Sequence, residues 1–505
     1  MAHANVGAGD YRVHATDPAL RTPAELRRQM LEIFPYISLP MFLAIVDQTM
    51  VATALPSIVA DLGHAERSSL LVIAYVCASA ITTPVYGQLG DRFGRVRLMR
   101  IALMIFAGAG MWCALSASMH ALLAARIAQG IGAGGLIGLS QALIGERVSP
   151  RERGRMQGYL ATVVITSTAL GPLIGGFGAD YAGWRWLFGG ASALGLLALA
   201  ITSRLPSARA PTSDSAPFRF DIWGLVLFAT LVVTVLSALQ MTQTPEPATA
   251  SPWLWLALPA AAALLLLLAR RERRASQPLL PPDLIALPAV WRSDLLAIFF
   301  AAALVSLMTF LPLFFRVAHG ATPAGTGLLM LPAVLGIGIG GIVTGRLIWR
   351  TGRTAIWPSL GLTIAAFLLV ALAVALPGLS ASQVGWLVGI ASIFMGSVMS
   401  VVQVTVQIAA GPDRLGMAAA TVQLSRTLGA ALGTALVGAA LFGTLASMGP
   451  QIYAGFLELI ADASTGPHTA LRGPILDAFR IAFSLPAAFA VAGLILAWTL
   501  PVRRI

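Results

Sequence analysis

Long apolar runs dominate the chain, and short arginine-rich segments punctuate them. Six runs come first, at 35–58, 67–88, 98–117, 121–146, 155–178 and 184–203. A Pro/Ser/Arg stretch, 204–219, precedes two more, at 221–243 and 252–270. A basic, Pro-rich segment, 271–290, leads to a last six at 291–315, 322–348, 355–376, 382–409, 415–444 and 477–500. About 20 apolar residues cross a bilayer as a helix. The pattern therefore predicts an all-α membrane protein of fourteen spans. Residues 1–34 form a polar N-terminal tail, 35–203 a first six-helix bundle, and 204–290 a linker with two extra helices. Residues 291–500 form a second six-helix bundle, and 501–505 a short tail. The first run is too long for a signal-peptide core and reads as an uncleaved span. Residues 445–476 are long for a loop and alternate apolar with polar residues, which fits either an interfacial amphipathic helix or hairpin, or a plain connector.

The two six-span blocks look like repeats. Gly87-Gln88-Leu89-Gly90-Asp91-Arg92-Phe93-Gly94-Arg95 follows the second span of the first block. Gly345-Arg346-Leu347-Ile348-Trp349-Arg350-Thr351-Gly352-Arg353 follows the second span of the second block, with the same Gly-x-Leu-x-x-Arg-x-Gly-Arg frame. Parallel repeats of six spans put a substrate site between the halves near the midplane. Arginine bias gives orientation. With the N-terminus in the cytoplasm and an even span count, cytoplasmic loops hold Arg92, Arg95, Arg97 and Arg100, then Arg151, Arg153 and Arg155. Arg270, Arg271, Arg273, Arg274, Arg350, Arg353, Arg503 and Arg504 fall on the same side, whereas Arg67, Arg185, Arg316 and Arg472 fall opposite. Both termini are then cytoplasmic.

Composition agrees with lipid as the main solvent. Of 505 residues, 57% are hydrophobic and 11% charged, with a mean hydropathy of +0.82; a soluble domain has about 25% charged residues. The net charge of +12 comes from arginine alone, since the chain has no lysine. Basic chains often bind nucleic acid, but these arginines sit in short loops between apolar runs, which suits topology and anionic lipid headgroups. Cys77 and Cys113 lie inside apolar runs and read as small buried residues, not as a disulfide or metal site. His319 and His468 fall in expected loops, and no histidine shows ligand spacing. A phosphate-cradling Gly-x4-Gly-Lys-[Ser/Thr] is missing. Neither an enzyme nor a cofactor is expected, and the proton-motive force remains as the driving source.

Four patterns carry candidate chemistry. The loop from Gly87 to Arg95 has two glycines, Gly87 and Gly90, that let the end of span two press on a neighbour. Asp91 suits the N-terminal amides of a helix, and the span that starts near Leu415 lies on the correct side. The loop also fits a bare topology signal. Second, Arg126-Ile127-Ala128-Gln129-Gly130-Ile131-Gly132 places an arginine several residues inside span four, facing a wet cavity or a partner, or else snorkelling outward. Third, Asp47 lies halfway along span one, in Asp47-Gln48-Thr49 before Ala54-Leu55-Pro56. A carboxylate there is a functional residue by default. Burial raises its pKa and a nearby arginine lowers it, so it is poised to bind and release a proton; a purely structural bond to Arg126 is the alternative. Fourth, Gly158, Ser167, Gly171, Pro172, Gly175 and Gly176 form a small-residue stripe with a bend at Pro172 in span five. An ordinary helix interface has the same look.

These motifs resemble the major facilitator superfamily, and within it the fourteen-span drug:proton antiporters. The resemblance covers roughly 35–500 and is most specific in the first half. Val96 departs from the loop motif at its last place, and Ser167 replaces a glycine of the antiporter stripe; Gly183-Trp184-Arg185-Trp186 is similar too. The resemblance implies two six-helix bundles around a central cavity, alternating access, and an Asp91–Arg95–Glu146 triad at a cytoplasmic gate that includes Arg92 and Gly94. It also implies Asp47 and Arg126 as the proton-coupling pair, lining the N-terminal half of the cavity. Gln129, Gln403, Gln407, Gln423 and Arg426 are candidates for the substrate cavity, though helix–helix bonds are the more ordinary role for Gln403, Gln407 and Gln423. The expected partners are a small amphiphilic substrate, protons and membrane lipid, in a monomer of a bacterial inner membrane. No acid lies in the core of the spans at 322–348, 382–409 or 415–444, which disfavours a strongly cationic substrate. A proton-coupled importer of an organic anion, or a membrane sensor on the same fold, stays open.

Overall fold

A computed structural model describes residues 23–64, 68–205, 220–241, 252–461 and 469–504. Arg67, His468 and nearly all of 204–219 lie outside the described residues. The chain is helical throughout these segments. The first six helices are α1 (Pro23–Leu62), α2 (Ser68–Phe93), α3 (Arg95–Ala114), α4 (Met119–Arg147), α5 (Pro150–Tyr181) and α6 (Trp184–Ser203). α7 (Ile222–Met241) and α8 (Pro252–Glu272) follow, then a single turn, α9 (Pro282–Ile285). The rest are α10 (Pro288–His319), α11 (Pro323–Thr351), α12 (Ile356–Ala375), α13 (Ala381–Met395), α14 (Ser397–Ala410), α15 (Leu415–Ser447), α16 (Pro450–Ala461) and α17 (Thr469–Trp498). Thirteen spans among the described residues are long and apolar enough to cross a membrane. With α8, whose 21 residues reach about 30 Å at 1.5 Å per residue, the helices match the fourteen runs of the hydropathy pattern.

Local chemistry sets the breaks. Ser118 caps α4 by accepting from the Ala121 amide at 3.3 Å, and Ser380 and Gln383 form a reciprocal capping box on α13. Between α2 and α3 the chain turns at Gly94 with φ 96°, a backbone that a side chain disfavours; this explains the glycine before Arg95. Span twelve is not one rod. It breaks at Gly396 into α13 and α14, where the backbones of Ile337 and Gly340 in α11 come too close for any side chain. His319 is the last residue of α10, not a loop residue, and its ring meets Phe314 edge-on at 5.1 Å. The 445–476 segment does hold a helix: α16 buries Phe456 and Leu459 against the second bundle.

Each block has its own apolar core. Helices α1 to α6 enclose two clusters, one around Phe106 and Leu136 and one around Met50 and Phe188. Helices α10 to α17 enclose a larger one around Phe314, Phe479 and Phe483. The blocks meet along two seams, α2 with α15 and α5 with α11. The antiparallel pair α7/α8 lies against the first seam, where Phe228, Val232 and Leu268 join Cys77, Ala80 and Leu424. Asp221, just before α7, pairs with Arg271 of α8 at 2.8 Å. Those hydrogen bonds hold the Asp221 carboxyl below the usual carboxylate range.

Candidate functional site

Midway along α1, Asp47 is fully buried in the first bundle. Its Oδ2 accepts from Arg126 Nη1 at 2.6 Å, and its Oδ1 accepts from Gln129 Nε2 at 2.9 Å. Arg126 Nη1 also donates to Gln129 Oε1 at 2.7 Å. One glutamine thus faces both charges, accepting from the cation and donating to the anion. Arg126 and Gln129 sit three residues apart on α4, so one helix face carries both. The guanidinium stacks 4.1 Å from the centre of the Tyr75 ring, with Phe188 at 5.7 Å, and Tyr75 Oη donates to the Ala44 carbonyl at 3.3 Å. Arg126 Nε is buried without a partner. An ion pair in apolar surroundings is strong only while intact, and here Gln129 and the Tyr75 ring give Arg126 partners besides the carboxylate.

Thr49, two residues past Asp47, has a packing role. Its hydroxyl donates to the Ile45 carbonyl at 3.0 Å, and it fills the space left by Gly171 of α5. A Cβ on Gly171 would lie 1.8 Å from Thr49 Oγ1, and one on Gly175 would lie 2.2 Å from the Met50 carbonyl. The Gly171 and Gly175 part of the stripe therefore joins α5 to α1 inside one bundle, with the Pro172 carbonyl accepting from Thr53 at 3.4 Å. Gly176 meets nothing within 4 Å, while Gly158 lies against Ile342 of α11. Ser167 is buried and spends its hydroxyl on the Val163 carbonyl at 2.6 Å.

At the arginine-rich end, Asp91 links the blocks. Oδ1 accepts from the Gly416 amide at 2.7 Å and Oδ2 from the Met417 amide at 3.0 Å, both in the first turn of α15. Arg95 donates to Asp91 Oδ1 from Nη2 at 2.7 Å, to Glu146 Oε2 at 2.7 Å and to the Pro412 carbonyl at 3.0 Å. The approach needs bare backbones. A Cβ on Gly87 would lie 2.7 Å from the Gly416 carbonyl, and one on Gly90 would lie 2.8 Å from Leu139. Arg92 is half-buried beside this cluster. The second repeat copies the steric part: Gly345 lies against Gly154 and Gly158 of α5. It lacks the carboxylate, since Trp349 stands where Asp91 does, and Arg155 sits 5.2 Å from that indole. Toward the opposite end of α5 and α11, Leu173, Phe177, Leu328 and Leu331 are exposed.

The second-block candidates divide. Gln407 of α14 donates to the Gln141 carbonyl of α4 at 2.9 Å, so it bridges the blocks near Asp91. Gln403 is buried with an unpartnered Oε1. Gln423 and Arg426 of α15 are only part-buried. Three features escaped sequence reasoning. Tyr75 beneath Arg126 looked like any core aromatic. Gln141 and Gln157 pair between α4 and α5 at 2.6 Å; polar residues in two apolar runs were the available signal. The segment after α8 also ties onto α2 beside the Asp91 contact. Gln88 donates to the Gln277 and Pro278 carbonyls at 3.3 and 3.2 Å. Arg414 pairs with Asp283 of α9 and so holds that carboxyl below its ordinary range.

Comparison with known proteins agrees with this architecture. Among curated proteins, the chain is 32% identical over 412 residues to an uncharacterized MFS-type transporter of Mycobacterium tuberculosis, covering 81% of this chain and 59% of that one. The chain thus spans about three-fifths of that relative. It is 28% identical to the multidrug transporter protein MdtP of Bacillus subtilis, over 79% of this chain and 73% of MdtP. Among solved structures, the proton:xylose symporter XylE superposes with a TM-score of 0.58 at 16% identity, covering 94% of this chain and 96% of that one. The human organic anion transporter MFSD10 gives 0.59 at 16%, covering 94% and 100%. These likenesses show the fold alone. The family model described as Major Facilitator Superfamily matches residues 37–434. With two six-helix blocks joined at two glycine-lined seams and a family match across most of the chain, this multi-pass membrane protein belongs to the Major Facilitator Superfamily.

Proposed function

We propose that this protein exports small amphiphiles across a bacterial inner membrane in exchange for protons, working as a monomer with both termini and the arginine-rich end in the cytoplasm. The observation that carries the reading is the buried Asp47–Arg126–Gln129 cluster. A carboxylate sealed in a membrane protein's core is costly to keep for packing alone. Here it has a built-in way to give up its charge. When Asp47 takes a proton, Arg126 keeps the Gln129 carbonyl and the Tyr75 ring as partners, so the cation is not stranded. The Asp91 contact holds the arginine-rich ends of the two blocks together, as a state of alternating access closed to the cytoplasm requires. The names of MdtP and of fungal relatives called efflux pumps favour export. Lipid surrounds the spans, and the arginine loops sit among anionic headgroups.

The test uses proteoliposomes with a trapped pH dye and N-phenyl-1-naphthylamine as the amphiphile. Wild type should release protons against dye movement. Asp47→Asn should abolish that flux while its melting temperature stays close to wild type, and Asp47→Glu should retain part of it. Full proton flux in folded Asp47→Asn overturns the coupling role. Movement of dye and proton in the same direction makes the protein a symporter.

A further inference from the structure

α15 presents distinct faces. Gly429 and Gly433 lie against the backbones of Ile298 and Ala302 in α10, and Gly416 lies against Gly87 and Asp91 of α2. Leu424, Leu428 and Ala431 face the α7 cluster. At 3.6 residues per turn, Gln423, Arg426 and Ala430 fall between the α10 and α2 faces, away from α7. Ala419 is on that same side and packs on Ala142 of α4. Arg426 therefore points into the space between the two blocks, about 16 Å along the helix from Leu415 at 1.5 Å per residue. It is part-buried there, as are its neighbours Gln423 and Ala430.

Other buried arginines of the membrane core are neutralised. Arg126 has Asp47, and Arg95 has Asp91 and Glu146. Arg426 has no hydrogen bond and no ion pair among the described residues. The nearest acid in α10, Asp294, lies with Thr421 on a different side of α15. Gln423, one turn before Arg426, lies on the same side of the helix; its buried oxygen has no partner and can only accept, so its NH2 group is the part that can donate to an anion. A part-buried guanidinium without a counter-ion is free to take one, and its forked donors match carboxylate, sulfonate or phosphate oxygens.

We propose that Arg426, helped by the Gln423 amide, binds an acidic headgroup, so that the transported amphiphile is an anion. This rests on the export reading above for the word transported, but the binding site stands on the unpaired guanidinium. An anion there supplies the missing counter-charge, and its apolar body faces the small residues around Ala430.

The experiment measures binding, not flux. Purified full-length protein in nanodiscs of zwitterionic lipid is titrated with 1-anilinonaphthalene-8-sulfonate and with its neutral counterpart N-phenyl-1-naphthylamine, with empty nanodiscs subtracted. Wild type should prefer the sulfonate by about tenfold or more, the size expected of one charged hydrogen-bonded contact. Arg426→Gln should reduce the ratio to near one by weakening the sulfonate only. Arg426→Lys should keep part of the preference. Gln423→Glu is nearly isosteric and supplies an internal counter-ion three residues from the arginine; it should also abolish the preference, and it decides the matter if Arg426→Gln fails to fold. Equal affinities in wild type, or an undiminished sulfonate preference in Gln423→Glu and the folded Arg426 variants, overturns the proposal. Because no proton gradient is used, loss of coupling in Asp47→Asn and loss of anion preference here fail independently.

Discussion

Asp91→Asn changes one charge at the point where α2 meets α15. In wild type the carboxylate accepts both the Gly416 and Met417 amides as well as Arg95. The amide can still accept through its oxygen from Gly416 and Arg95. Its NH2 group, however, faces the Met417 N–H, donor against donor. The variant thus loses about one charge-assisted bond, about 1.5–3 kcal/mol, and the favourable charge at a helix N-terminus, about 0.3–1 kcal/mol. The sum, about 2–4 kcal/mol, falls on the closed state alone, because both amides belong to the other block. At 1.4 kcal/mol per decade the ratio of closed to open molecules should fall by about 30- to 700-fold. Arg97 and Asp413 are exposed on either side of the contact. Spin labels there, with Cys77 and Cys113 replaced by serine, report the gap by electron–electron double resonance in nanodiscs. Wild type should show a short distance, and Asp91→Asn a dominant longer one. An unchanged distribution in the variant refutes the account of Asp91 as a latch and leaves the loop as a topology signal.

The contact between α1 and α5 gives a steric prediction. A Cβ at Gly175 would lie 2.1 Å from Thr53 Oγ1, so Gly175→Val should lower the melting temperature, with overpacking costing about 1–3 kcal/mol. Gly176→Val, at a position with nothing within 4 Å, should leave it unchanged; equal effects would contradict the packing described. The α7/α8 hairpin gives a pH prediction. Arg271 keeps the folded-state pKa of Asp221 below its unfolded value of about 3.9. Its contribution is therefore fully present above about pH 4 and disappears as pH falls through the lowered folded pKa. Hydrogen exchange at the Gly224 amide, which donates to Asp221 Oδ1 at 3.0 Å, should stay protected at pH 5 in wild type and be faster in Asp221→Asn. Loss of wild-type protection between pH 6 and pH 5 would reverse the assigned sign.

What the sequence could convey follows from the kind of interaction involved. Span positions depend on local apolar length, a property of consecutive residues, so each of the fourteen runs became a helical span, one of them in two pieces. Asp47, Arg126 and Gln129 stood out because charge and amide are conspicuous in a span, and Arg126 and Gln129 share a face by spacing alone. The Asp91 contact was legible for a related reason: topology puts the start of α15 on the same side as the loop, and only a few helix ends are available there. Gln407 shows where this logic stops. A helix–helix bond is the role its place in an apolar run favours, and it makes one, but the partner is the Gln141 carbonyl, an acceptor every residue carries and no pattern marks. The close approach at Gly396 was hidden likewise, since a glycine in a membrane helix is common and only the crossing of α11 gives this one its meaning. The same is true of the segment after α8: Pro278 and Gln277 contribute backbone oxygens to Gln88, so composition said linker while geometry ties the extra hairpin to α2. Side-chain charge announces itself in a sequence, whereas backbone acceptors and close helix crossings take their meaning from neighbours far away in the chain. That asymmetry is why the Asp47–Arg126 and Asp91–Arg95–Glu146 pairs were anticipated and the hydrogen bonds to carbonyls were not.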